Sequence, residues 1–340
     1  MEKSLKKDII INRLPVVIYF ILIFAALMVI ISAVAPMSNH EPKTTDTYSD
    51  FSTGWLNCEE SEASLDHLSG TTVIHRTITA ADCNKTLFFF AKTSNIKVFI
   101  DGVCQYRNNH FCSQFFGKTP GALFVNVLIP AESDGKLLEI EIENPYKDDD
   151  SAKLDEMYIG DISDIIQFQQ QKRFNSFCIS FIIMVLGVVM LLLFIPLTRQ
   201  KIVGIEFLNL GVTAFVSGLY LTTDGRYLQL VFGDAHIYHV IAETALRLSI
   251  LPFLIFLSQM YDSYSKRISA ILCVIGEIVF AGCFIGEITE IMDYHETLFL
   301  VHVVFAISML FILVSTIKGI VKAPKENIYH NIGCLSLIHI

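Results

Sequence analysis

Six long runs that carry almost no charge set the first constraint on this chain. The first, from Leu14 to Ala35, is about 22 residues long and uncharged. A helix of that length, at 1.5 Å per residue, crosses a hydrocarbon core of ~30 Å. Lipid offers backbone groups no hydrogen-bonding partner, so a span must satisfy its own N–H and C=O groups. Five further runs, at 174–197, 202–222, 236–259, 268–287 and 297–317, read as a helical bundle. Composition agrees: 53% of residues are hydrophobic and only 17% are charged, against roughly 25% in a soluble domain.

Lys3, Lys6, Lys7 and Arg13 precede the first run and place the N-terminus in the cytoplasm by the positive-inside rule. The run exceeds a signal-peptide core, so the loose cleavage-like SAVAP at 32–36 is passed over and the run reads as an uncleaved signal anchor. Counting outward from there, the cytoplasmic loops should hold Arg199 and Lys201, then Lys266 and Arg267, then Lys318, Lys322 and Lys325. The opposite loops, TTDGRYLQLVFGD and EITEIMDYHE, are acidic or mixed. The expected protein is a multi-pass cell-membrane protein with residues 37–172 extracytoplasmic.

Between the first run and the bundle, residues 37–168 follow a different pattern. TTVIHRTI, TLFFFAKT, IKVFIDG, ALFVNVLIP and KLLEIEIENPY are short β-rich segments. Leu138, Ile140 and Ile142 alternate with Glu139, Glu141 and Glu143, which gives one buried and one wet face. Asp101-Gly102 and Asp134-Gly135 mark tight turns. The spacing predicts an all-β sandwich or jelly roll. The span 37–172 holds 21 acidic and 11 basic residues, a balance of −10 against −9 for the whole chain, so the rest is nearly neutral. With no basic patch, a nucleic-acid partner is excluded. Cys58, Cys83, Cys104 and Cys112 lie here, either as two disulfides in any of three pairings or as free thiols; CxxC spacing, the usual zinc signal, is missing.

Several motifs carry a family resemblance. In order they are FSTGW (Phe51 to Trp55), KVFIDG (Lys97 to Gly102) with Tyr106 shortly after, FGKTPGALFVNVLIP (Phe116 to Pro130), GKLLEIEIENPY (Gly135 to Tyr146), MYIGDISDII (Met157 to Ile166) and IMDYHETLFLVH (Ile291 to His302). Over about 10–330 the chain resembles the bacterial seven-transmembrane receptors with diverse intracellular signalling modules. The resemblance implies an extracellular galactose-binding-like jelly roll, a seven-helix bundle, and a cytoplasmic output domain, usually a GGDEF diguanylate cyclase or a histidine kinase. It also implies homodimerisation through that output domain. These residues contain neither a GGDEF motif nor a kinase histidine box, so no catalytic residue and no cofactor is assigned. Residues 328–340 read as the truncated start of a further helix. LSLIHI, Leu335 to Ile340, equals the translation of a transposon sequencing adapter and reads as non-biological.

Candidate sites fall in both parts. In the β-domain Trp55, Tyr106 and Phe111, with Phe115 and Phe116, are either core residues or a platform for a carbohydrate or other small molecule. Asp148, Asp149 and Asp150 read as a solvated loop before a calcium site. In the bundle, ionisable groups cost about 2.5–3.5 kcal/mol each to insert, so each needs a partner or a function. Glu243 and Arg247, four apart on one helix face, should neutralise each other. His236 and His239 share that helix and are weak metal candidates; Glu277 and His302 are single polar positions. The leading expectation is a transmembrane sensor. The alternative is an intramembrane transporter or hydrolase that uses the buried Glu and His side chains.

Overall fold

The computed structural model describes residues 47–108, 121–146, 151–260, 263–289 and 291–322. The expected first span, Phe111, Phe115, Phe116, Cys112, Asp148 to Asp150 and everything from 323 onward lie outside the described residues. The chain forms two units: a β-unit that ends at 177 and takes in 222–242, and a helical unit of 178–221 with 243 onward.

The β-unit contains two antiparallel sheets. One orders β1 (Tyr48–Asp50), β9 (Lys153–Gly160), β4 (Thr86–Lys92) and β7 (Ala122–Leu128); the other orders β2 (Leu56–Asn57), β3 (Thr71–Thr77), β8 (Leu137–Glu143), β5 (Asn95–Ile100) and β6 (Val103–Arg107). Strand β8 sits between β3 and β5, with Ile140 opposite Ile74 on one side and Val98 on the other. Leu138, Ile140 and Ile142 are fully buried, while Glu141 on the other face takes an ion pair of 2.5 Å from Lys97. Asp101 and Gly102 both have positive φ, which makes the two-residue hairpin between β5 and β6. Both sheets feed one core, with Trp55, Ile74, Phe89, Val98, Val125, Ile140 and Met157 among its members.

Among the described residues six helices follow: α1 (Ile162–Arg199), α2 (Ile205–Asp224), the short α3 (Tyr227–Phe232), α4 (Ala235–Met260), α5 (Ser263–Ile288) and α6 (Tyr294–Lys322). Among the described residues, four stretches are long and apolar enough to cross a membrane: Ile162–Arg199, Ile205–Asp224, Arg267–Ile288 and Tyr294–Ser315. The expected span at 236–259 falls within α4, a helix of 26 residues. Helix α1 begins twelve residues ahead of its apolar run. Asp161 caps it, accepting the Ser163 backbone N–H at 2.8 Å.

In the helical unit, α1 and α2 approach closely at glycines. A Cβ on Gly187 would lie 2.3 Å from the Phe215 nitrogen, and one on Gly218 would lie 2.4 Å from the Met184 nitrogen. Lipid gives helices no hydrophobic reason to associate, so close packing through small residues must supply the attraction. Leu251, Leu254, Cys273 and Ile312 join α4, α5 and α6. Either Gly187→Ala or Gly218→Ala should cost about 1–3 kcal/mol by overpacking. The check is the melting temperature of the detergent-solubilised protein, which close packing requires to fall.

Candidate functional site

Strand β4 is buried on both faces. Leu87, Phe89 and Ala91 enter the core between the sheets, while Phe88 and Phe90 occupy the opposite face of the first sheet. That second face is covered from within the β-unit by the first turns of α1 and by the 222–242 segment. Phe88 stacks on Phe124 of β7 with ring centroids 5.3 Å apart, and Phe168 of α1 packs on Tyr48 and Tyr158.

A charged cluster sits at this cover. Strand β9 bulges where its pairing with β4 shifts register between Phe88 and Phe90, and Glu156 there has a φ of +52°. Its carboxylate bonds Arg173 at 2.5 Å and Lys172 at 2.9 Å, both from α1. Arg173 also donates to the Gln169 side chain one turn earlier and lies 5.1 Å from the Phe124 ring centroid. Burial pushes the Glu156 carboxyl up, but the hydrogen bonds from Lys172 and Arg173 outweigh it and hold the group below its ordinary value. Arg226, with a φ of +63°, stands 3.8 Å over Phe90. Burial pushes its guanidinium pKa down and the nearby Arg173 acts in the same direction.

The 222–242 segment also protects a sheet edge. Strand β7 is the last of its sheet, and the Gln229 amide donates to the Ala122 carbonyl at 3.2 Å while accepting from the Phe124 N–H at 2.9 Å. Gln229 thus pairs with the strand as a neighbouring strand would. Gly121, with a φ of +77°, lies so close to the His239 ring that an added Cβ would stand 2.4 Å from it. Beside these contacts a cavity of about 380 Å³ opens. Its wall draws on Phe88, Tyr106, Phe124 and Asn126 of the strands, Asn108 just past β6, Ile166 of α1, and Gln229, Leu230, Asp234 and His236 of the 222–242 segment.

The helical unit holds a second polar cluster around Arg247, whose side chain is 1% exposed. Arg247 bonds the Glu243 carboxylate at 2.6 Å and the Tyr294 carbonyl at 2.6 Å, and lies 4.1 Å over the Tyr294 ring. The start of α6 is fixed by reciprocal bonds: Glu296 N–H to Asp293 Oδ1 and Asp293 N–H to Glu296 Oε2, both 3.0 Å. Thr244 and the Tyr294 hydroxyl meet at 3.1 Å.

Sequence candidates therefore separate. Trp55 is 1% exposed, donates its indole N–H to the Phe51 carbonyl at 2.8 Å and packs edge-on against Phe51, so it offers no ring face to a solute. Tyr106 is half-buried in the cavity wall, and burial pushes its phenol up. Glu243 and Arg247 pair; Glu277 and His302 lie on exposed faces of α5 and α6, apart from that pair. His236 lines the cavity and His239 packs on Gly121; among the described residues no three His, Cys, Asp or Glu side chains converge on a metal position. Cys58, Cys83 and Cys104 are free thiols, each near a backbone carbonyl. Glu156, Arg173, Arg226, Gln229, Asn108 and Asn126 were not singled out by the sequence. Only the i, i+4 spacing of Gln169 and Arg173 ahead of the apolar run hinted at them.

The chain matches no family profile, no curated protein and no solved structure. Fold and composition define the class: a membrane-associated protein with an all-β unit of two antiparallel sheets and helices of spanning length.

Two outcomes follow from these clusters. Glu156→Gln should destabilise the protein by about 3 kcal/mol near neutrality, the usual cost of breaking a buried pair. A depressed carboxyl contributes stability above its unfolded value of 4.5 and loses it as pH falls through the folded value. The gap in melting temperature between wild type and variant should therefore close below about pH 4.5; a gap that widens on acidification contradicts the pairing. In the bundle, Arg247→Met should cost about 3–5 kcal/mol alone and markedly less combined with Glu243→Gln, because the single change strands a carboxylate. A double-mutant cycle on thermal stability measures that coupling.

Proposed function

We propose that the chain is a transmembrane signal-transduction sensor: an extracytoplasmic, galactose-binding-like jelly roll coupled through a seven-helix-type bundle to a cytoplasmic output domain. A GGDEF diguanylate cyclase is the output that the family resemblance implies. The observation that carries this reading is the composition of the cavity wall. One site is built at once from the strands, from α1 where it leads toward its apolar stretch, and from the connection between α2 and α4. A solute there touches the elements that must rearrange for a signal to pass, which is what differential affinity between two states requires. Topology is supported independently of loop charge. The grouping of the 222–242 segment with the sheets in one unit supports a connection on the same side of the bilayer as the β-domain. A cytoplasmic N-terminus and the extracytoplasmic placement of 37–172 follow from the positive-inside rule.

The test uses the full gene product with its own output. Leu230→Trp, which fills the cavity, should shift output by about threefold or more, the change expected when a two-state balance moves by a fraction of a kcal/mol. Identical output from wild type, Leu230→Trp and a deletion of 37–172 under every condition refutes the sensor.

A further inference from the structure

We propose that the cavity binds an uncharged, ring-bearing small molecule and that the Asn108 amide is its hydrogen-bond anchor. This rests on the sensor reading and names the class of solute sensed. The volume, about 380 Å³, falls in the range of small-molecule sites.

Charge narrows the class. Among the described residues the lining holds no Lys or Arg, and the carboxylate there, Asp234, already accepts the Ile237 N–H at 3.3 Å at the start of α4. A phosphate or carboxylate ligand would lack the charged donors that hold such groups. A cation fares no better. Asp234, the carboxylate of the described lining, is already engaged at the start of α4 and leaves a cation no free counter-charge there. What remains is an uncharged molecule.

The wall also says how it is held. Half-buried Phe124, backed by Phe88, forms with Leu230 and Ile166 the apolar side that a ring would cover. Asn108 accepts the Ile96 N–H through Oδ1 at 2.8 Å, which fixes the amide and assigns its oxygen. Its Nδ2 is buried and has no partner among the described residues. A buried donor left unmade is costly, and a ligand carbonyl or hydroxyl oxygen satisfies it. Asn126, exposed on β7, offers both a donor and an acceptor. A sugar ring and a nucleoside share this chemistry of acceptor oxygens on an uncharged ring.

The experiment titrates the purified full chain in lipid nanodiscs with uridine and N-acetylglucosamine, and with their charged counterparts uridine monophosphate and glucosamine. One neutral probe should bind saturably, and its charged counterpart at least tenfold more weakly. Asn108→Asp keeps the acceptor for Ile96 and, when ionised, removes the donor, so it should weaken binding about tenfold in protein shown to be folded by its melting transition. Leu230→Trp should abolish binding. Equal affinity for the charged counterpart, undiminished binding by Asn108→Asp, or no saturable binding of either neutral probe overturns the proposal. Failure of binding while Leu230→Trp still shifts output removes only the solute class. Binding with output indifferent to Leu230→Trp removes only the sensor reading.

Discussion

The burial of strand β4 on both faces is the constraint on which the rest of the β-unit depends. Phe88 and Phe90 point away from the core between the sheets, so their sheet cannot face water on that side without exposing two large rings. The chain covers them with material that lies far off in sequence, the first turns of α1 and the 222–242 segment. Once those elements are recruited, their polar groups need partners inside the cover. The β9 bulge turns Glu156 toward Arg173 and Lys172, and Gln229 satisfies the edge of β7. Cluster and cavity are consequences of covering a sheet that is apolar on both sides.

The Arg247 cluster solves a similar problem in the helical unit. A guanidinium 1% exposed needs its donors met, and a single carboxylate satisfies only part of the fork. The Tyr294 carbonyl takes another donor and the Tyr294 ring takes the flat face. Because α6 starts at Tyr294, its position is set by the Asp293 and Glu296 cap. Glu277 and His302 lie on exposed faces outside this cluster.

Local rules made much of this legible. The alternation in LLEIEIEN placed Leu138, Ile140 and Ile142 in the core, and the i, i+4 spacing of Glu243 and Arg247 anticipated their pair. Three uninterrupted phenylalanines in TLFFFAKT carried the news that one sheet is covered on both faces, since a half-wet strand alternates. What stayed hidden depends on contacts distant in sequence. No local pattern brings Gln229 to the β7 edge or sets Arg226 over Phe90, and the Glu156 bulge is a property of strand pairing. Trp55 illustrates the converse: its size suggested a sugar platform, yet the Phe51 carbonyl satisfied its indole N–H and let the whole ring be buried.

The position of the cavity follows from the same economy of cover. Two rigid sheets pack their shared core to high density and leave little room there for a solute. The cover over Phe88 and Phe124 is assembled from separate segments that meet side by side, and an imperfect seam between such pieces is where a site can form and can change shape. A ligand held by Asn108 on one side and flanked by Leu230 on the other would bridge strand and connection. Its binding energy would then act on the separation between them, and a site enclosed within one sheet would have no such leverage.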